Sequence, residues 1–179
     1  MSDPSLQRRA LVTALALAAT APSPAATPGE VLKGQTLRDA RLRGLNGPDR
    51  QLASYRGRPL IINVWASWCG PCVAEMASLE RLAWHEQAKT FSIIGISTDD
   101  YRERALAVLR RTNATISHFI DARLEMEHML GASSIPLTVL VDAQGRVREK
   151  VVGAKEWDSA EALRFISSTF ATGARAGRR

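Results

Sequence analysis

Two cysteines separated by Gly-Pro, in Cys69-Gly70-Pro71-Cys72, are the residues of this chain whose types and spacing most directly specify chemistry. A thiolate attacks disulfide sulfur. Two thiols one helical turn apart can also close a disulfide on themselves, so the pair can pass two electrons by thiol–disulfide exchange. The pair follows Leu60-Ile61-Ile62-Asn63-Val64-Trp65-Ala66, a nearly continuous apolar run that reads as a buried central strand, and Pro71 stands where the first turn of a helix tolerates proline. At such a strand-to-helix turn Cys69 would lie at a helix N-terminus. Unpaired N–H groups and the helix dipole there favour an anion, so a lowered pKa and a thiolate population at neutral pH are expected of Cys69. Cys72, one turn deeper, is expected to be the resolving thiol.

Other uses of the pair fit less well. A structural disulfide over so short a loop contributes little, because loop-closure stabilisation grows with the logarithm of loop length. Cys69, Cys72 and His85 match the first three ligands of a CxxC-x12-H zinc site, but no second histidine follows within five residues, the next being His118. A Cu(I) metallochaperone would use the same two thiolates. A thiol peroxidase would need a single peroxidatic cysteine in a Thr-x-x-Cys setting, which the chain lacks. His85, His118 and His128 are isolated and read as surface or packing residues.

The chain that must position the pair has 179 residues, 45% hydrophobic and 23% charged, which excludes disordered, collagen-like and solenoid classes. One domain of this size buries roughly two-thirds of its unfolded surface and needs no disulfide staples. The net charge of +6 comes from Lys and Arg scattered along the chain rather than gathered in a stripe, so no nucleic-acid partner is expected. Arg8 and Arg9, the uncharged stretch from Ala10 to Ala21 and the small-residue segment Pro22 to Ala26 have the layout of an export signal. Residues 1–25 are therefore read as a signal peptide of Sec or Tat type, cleaved after Ala25, ahead of a domain over 26–170 and a basic flexible tail over 171–179. The apolar run is shorter than the roughly 17–25 residues of a membrane span, so no permanent anchor is expected. Export would place the cysteines in an oxidising compartment.

Alternating patterns fill the domain. Ala40 to Leu45, a two-residue Asn46-Gly47 turn and the segment around Gln51 and Leu52 predict a short N-terminal hairpin. A helix is expected from Pro71 to about Ala88, a strand over Phe91–Ser97, and a helix over Arg102–Arg111 started by Asp99 and Asp100. A short strand at His118–Ile120 and a helical turn or two over Leu124–Leu130, stopped by Gly131, come next. Leu137–Val141 and Val147–Val152 predict an antiparallel pair, and Glu156–Phe170 a last helix with Trp157, Leu163, Ile166 and Phe170 on its apolar face. The sum is an α/β domain, a mixed sheet flanked by helices on both sides.

Trp68-Cys69-Gly70-Pro71-Cys72 after an apolar strand, with Ile135-Pro136 before the strand Leu137–Val141, resembles the thioredoxin fold over nearly all of the domain. The resemblance implies that Pro136 is cis, and that Ile135 and Pro136, with Trp68, Gly70 and Pro71, line the place where a substrate chain binds. Leu52-x-x-Tyr55-x-Gly57-Arg58-Pro59, Asn63 to Trp68, Glu75-Met76 and Thr138-Val139-Leu140-Val141-Asp142-x-x-Gly145 further resemble the TlpA/ResA/DsbE-like extracytoplasmic thiol-disulfide oxidoreductases. That family uses no cofactor beyond its redox-active disulfide, here Cys69–Cys72. It acts on disulfide-bearing client proteins, draws electrons from a membrane donor of the DsbD/CcdA kind, and serves cytochrome c maturation or copper-site assembly. Thioredoxins carry a buried Asp where this chain has Asn63, which cannot titrate. The family has a glutamate at the position of Glu75, the expected acid/base or pKa-tuning group, and usually a proline where this chain has Ala77.

Overall fold

Leu60–Trp65 forms the strand around which the computed structural model of the chain is organised, and every residue in it is buried. Residues 27–176 are described, with side chains through 171; the signal peptide expected over 1–25 lies outside the described residues. In chain order the elements are β1 (Arg41–Gly44), β2 (Arg50–Gln51), β3 (Leu60–Trp65), α1 (Gly70–Trp84), β4 (Ser92–Ser97), α2 (Arg102–Arg111), β5 (Ser117–Ile120), α3 (Glu125–Leu130), β6 (Leu137–Val141), β7 (Val147–Val152) and α4 (Ala160–Ala176). The strands make one sheet in the order β2-β1-β5-β4-β3-β6-β7. β3, β4 and β5 are parallel, and the remaining pairs are antiparallel. No helix among the described residues is long and apolar enough to cross a membrane.

Both faces of the sheet are covered, which is why β3 reads as unbroken hydrophobicity. Successive side chains on a strand point to opposite faces. Leu60, Ile62 and Val64 join Ile94, Ile96 and Val139 in a cluster with Met126, Met129 and Leu130 of α3. Ile61 and Trp65 point the other way, towards Met76, Leu79 and Leu82 of α1, Val108 of α2 and Ile166 of α4. The steps from β3 to β4 and from β4 to β5 go in one direction across the sheet, and right-handed crossovers then place α1 and α2 on one face.

Several local expectations are corrected. The N-terminal hairpin forms, but Leu42 pairs with Arg50, so the connection is longer than a two-residue Asn-Gly turn. Asn46 is committed elsewhere: its Oδ1 accepts from the His118 backbone N–H at 2.8 Å and its Nδ2 donates to the Ile116 carbonyl at 2.8 Å, tying the loop to β5. Leu52 leaves the strand for a 3-10 turn, Leu52–Tyr55. α1 ends at Trp84, and Glu86–Thr90 continues as a separate 3-10 turn. α4 begins at Ala160, with the Ser159 hydroxyl accepting from Ala162 N–H at 3.2 Å, so Trp157 precedes the helix instead of lying on its face. The same helix runs to Ala176, into the segment expected to be a flexible tail.

β5 buries His118 beneath Trp65. His118 Nδ1 accepts from Trp65 Nε1 at 3.1 Å, with the rings edge to face. Gly95 on the adjacent strand makes room, since a Cβ there would stand 2.1 Å from His118 Nδ1. Burial with no charged partner lowers the His118 pKa from 6.5 to about 3. The folded protein therefore holds this imidazole neutral while the unfolded chain takes up a proton below its ordinary value. Its contribution is complete above that value and is lost as pH falls, on the order of 3 kcal/mol by pH 4. Urea unfolding at neutral and acid pH measures the loss, and the His118 Cε1 proton should show no NMR titration above pH 4. A midpoint near 6 would contradict the assignment.

Candidate active site

The turn from β3 into α1 is held from beneath by an acidic residue on the neighbouring strand's loop. Asp99, 2% exposed, accepts hydrogen bonds from the Ser67 backbone N–H at 2.9 Å, from the Ser67 hydroxyl and from the Ser97 hydroxyl at 2.7 Å. Asp99 does not cap α2, whose N-cap, Tyr101, makes no side-chain hydrogen bond. Its partner Ser67 is 32 residues away in sequence, so no local pattern announces the contact.

That turn delivers Cys69 to the N-cap of α1, where its Sγ accepts from the Cys72 backbone N–H at 3.3 Å. Cys69 and Cys72 are joined by a disulfide, with Cα atoms 5.3 Å apart. The sulfurs are not equivalent: Cys69 retains 6% exposure and Cys72 none. When the disulfide is opened, the N–H groups of the first turn and the helix dipole are positioned to stabilise a Cys69 thiolate. Trp68 is 70% exposed, and Gly70 and Pro71 are exposed beside it. The Ile135–Pro136 bond is cis, and the Ile135 carbonyl oxygen lies 3.9 Å from Cys69 Sγ. Ile135 is half-buried and Pro136 buried behind it, so the former is the one of the two that reaches the rim.

Glu75 is 2% exposed rather than solvent-facing. It lies one turn beyond Cys72 on α1, opposite Asn63 of β3. Its Oε1 accepts from Asn63 Nδ2 at 2.7 Å; its Oε2 accepts from the Lys155 backbone N–H at 3.1 Å and from Trp157 Nε1 at 3.2 Å. Asn63 Nδ2 also donates to Thr138 Oγ1 at 3.0 Å, linking the carboxyl to β6. Burial pushes the Glu75 carboxyl above its ordinary value, against the three donors, each of which favours the ionised form. Asn63, which cannot titrate, is thus joined directly to Glu75, the one ionisable side chain in this hydrogen-bonded group. The α1 sequence carries Glu75 at a legible spacing from Cys72. Trp157, Lys155 and Thr138 reach the same group from distant segments and have no signal in the local sequence.

The zinc alternative loses its third ligand. His85 sits at the C-cap of α1, about 24 Å of helix away from Cys69, and its Nδ1 accepts from Gln87 N–H at 3.2 Å. No group of three or more His, Cys, Asp or Glu among the described residues is arranged to hold a metal ion.

A redox-competent cysteine pair capping the first crossover helix of a thioredoxin fold, with a buried carboxyl behind it, defines a thiol-disulfide oxidoreductase. The chain belongs to the Redoxin family, whose model matches residues 32–165. It is 28% identical over 123 residues to the thiol-disulfide oxidoreductase ResA of Geobacillus thermodenitrificans, spanning 69% of this chain and 71% of that protein. It is 34% identical over 126 residues to the thiol:disulfide interchange protein DsbE of Vibrio cholerae, spanning 69% of this chain and 66%, just under two thirds, of that one. A Chlorobium tepidum structure assigned as a thiol:disulfide interchange protein DsbE superposes with a TM-score of 0.71 at 24% identity, covering 78% of this chain and 99% of that one. A Bacteroides thetaiotaomicron structure assigned as a protein disulfide isomerase gives 0.69 at 27% identity, covering 83% and 96%. These agree with the ResA/DsbE-like assignment made from the motifs.

Proposed function

We propose that the chain is an exported reductase of protein disulfides, with Cys69 as attacking thiol, Cys72 as resolving thiol and Glu75 as the group that takes the proton from Cys72. The observation that carries this reading is the asymmetry of the pair: Cys69 caps the helix and retains exposure beside the Ile135 carbonyl, while Cys72 has none. The Cys69 thiolate attacks one sulfur of a client disulfide, forming a mixed disulfide as the client S–S bond breaks and its second sulfur leaves as a thiolate. Glu75 then accepts the Cys72 proton, and the Cys72 thiolate attacks Cys69 Sγ. The Cys69–Cys72 bond forms, the mixed bond breaks, and the client's first sulfur leaves as a thiolate. Two electrons have passed to the client, and the proton held by Glu75 goes to a departing thiolate through solvent.

Trp68, Gly70, Pro71 and Ile135 form the rim against which the client chain lies, with Pro136 supporting Ile135 from behind. The Gly-Pro dipeptide between the cysteines supports the reducing direction, because thioredoxin has a couple near −270 mV, whereas DsbA lies near −120 mV. The leader-like N-terminus supports export. A reductant in an oxidising compartment must be recharged, which favours a membrane electron donor of the DsbD/CcdA kind. The resemblance to the TlpA/ResA/DsbE-like proteins favours cytochrome c maturation, or the assembly of a copper site, as the setting. The test is the reduction potential of the Cys69/Cys72 pair, equilibrated against dithiothreitol or glutathione buffers and followed by tryptophan fluorescence. A value below about −220 mV is expected; one near −120 mV would make the protein an oxidant.

A further inference from the structure

One face of α1 is fastened to a short strap, residues 155–158, on the chain between β7 and α4. Glu75, Ser78 and Arg81 follow one another at three-residue spacing and so share that face. Glu75 accepts from the Lys155 backbone N–H and from Trp157 Nε1. The Ser78 hydroxyl donates to the Lys155 carbonyl at 3.1 Å and accepts from the Trp157 backbone N–H at 3.1 Å. Arg81 holds Glu156 and Asp158, the residues on either side of Trp157, through Nη2 and Nε. Buried backbone groups need partners, and the strap finds several of its own on α1. The consequence is that Trp157, wholly buried, has its indole N–H aimed at the Glu75 carboxyl from outside any helix or strand.

We infer that Trp157 is a positioning residue for the dithiol chemistry: through its indole N–H the strap orients the Glu75 carboxyl and sets the pH at which that carboxyl can take a proton from Cys72. The inference rests on the role proposed above for Glu75. Glu75 Oε2 draws both of its donors from the strap, whereas Oε1 is held by Asn63 of β3. An indole N–H does not ionise over any working pH range, so it supplies a constant pull towards the ionised carboxylate against the opposing effect of burial. The other groups facing this carboxyl are few. Cys72 lies one turn earlier on α1 and Arg81 two turns later, the latter engaged with Glu156 and Asp158. The Lys155 ammonium turns to Glu161 at 3.1 Å, and β3 and β6 present the uncharged Asn63 and Thr138. A pH response at this site therefore reports chiefly on Glu75 and the cysteines.

The test compares the reduced chain with its Trp157→Phe variant, which keeps an aromatic ring in the core and deletes the N–H. Reduction of a small peptide disulfide is followed across pH 5 to 9. Loss of the donor should leave Glu75 protonated to higher pH, so the limb of the profile that depends on Glu75 moves upward. The rate at pH 7 should fall roughly 3- to 10-fold and recover as pH rises. A tryptophan that only fills the core would lower the thermal midpoint without moving that limb, and a profile superimposable on the parent's overturns the inference. Glu75→Gln is run in parallel. If it abolishes the limb while Trp157→Phe leaves it in place, the strap inference fails and the Glu75 role stands; if it changes nothing, the Glu75 role fails and the inference with it. Should Trp157→Phe not fold, Arg81→Ala loosens the same strap from the surface. It should move the limb in the same direction by a smaller amount, and an unmoved limb overturns the inference.

Discussion

A Cys72→Ser chain is expected to accumulate mixed disulfides with its clients through Cys69, whereas a Cys69→Ser chain accumulates none and loses exchange by on the order of 10³-fold or more. The argument is positional. Cys69 Sγ accepts the Cys72 backbone N–H at the start of α1 and keeps 6% exposure, so a client sulfur can reach it and the resulting thiolate has a donor waiting. Cys72 is closed off on the inner side of the helix among Trp65, Ala66 and Met76, and can be reached only by its neighbour. Serine at position 72 preserves the size of the side chain and removes the thiol that would resolve the mixed disulfide, so the intermediate persists. Non-reducing electrophoresis followed by mass spectrometry should find dithiothreitol-sensitive adducts on Cys72→Ser alone. Equally abundant adducts on Cys69→Ser, carried by Cys72, would reverse the assignment of the two thiols.

The parts of this site that were legible in the amino-acid sequence are those fixed by neighbours along the chain. The apolar run of β3, the Cys-Gly-Pro-Cys turn and the start of α1 all follow from local periodicity and from the tolerance of a first helical turn for proline. Glu75 could be picked out because three-residue spacing places it near Cys72 on a helix. Its burial could not, because what covers it comes from elsewhere: Asn63 is 12 residues before it, Lys155 and Trp157 are 80 and 82 residues after it. Trp157 illustrates the difficulty well. Its apolar ring fits the spacing of the last helix, so periodicity assigns it there, but Ser159 caps that helix two residues later and leaves Trp157 on a strap. The Asn46-Gly47 turn fails for a related reason: Asn46 has a stronger use, satisfying the β5 backbone, than the local turn its neighbour permits. Asp99 and His118 likewise take their roles from strands that are adjacent in space and distant in sequence.

The second large effect is expected at Glu75. Glu75→Ala removes the shared acceptor of Asn63 Nδ2, the Lys155 N–H and Trp157 Nε1; Asn63 keeps Thr138 and the Lys155 N–H is only part-buried, so the buried indole N–H is the donor orphaned outright, and the change should cost about 1 to 3 kcal/mol. Glu75→Gln keeps the shape and one acceptor oxygen, so it isolates the charge. Because burial raises the Glu75 pKa above its unfolded value, the stability this group contributes is present in full below the unfolded value and is lost as pH rises through the folded one. Wild type should therefore lose stability relative to Glu75→Gln as pH increases over that interval. His118 acts in the opposite sense, weakening both proteins as pH falls below 6.5, and cancels in the comparison. Urea unfolding of the two chains from pH 4 to pH 8 resolves the slope, and a flat difference would mean that Glu75 ionises in the folded protein as it does in the unfolded chain. Proton transfer from a positioned acid or base is typically worth 10²- to 10⁴-fold, so Glu75→Gln should also slow closure of the Cys69–Cys72 disulfide by roughly 10²-fold at neutral pH. The two readouts constrain one another: a carboxyl whose pKa is raised by burial is both a source of that pH-dependent stability and, once ionised, a better acceptor for a thiol proton than an exposed glutamate.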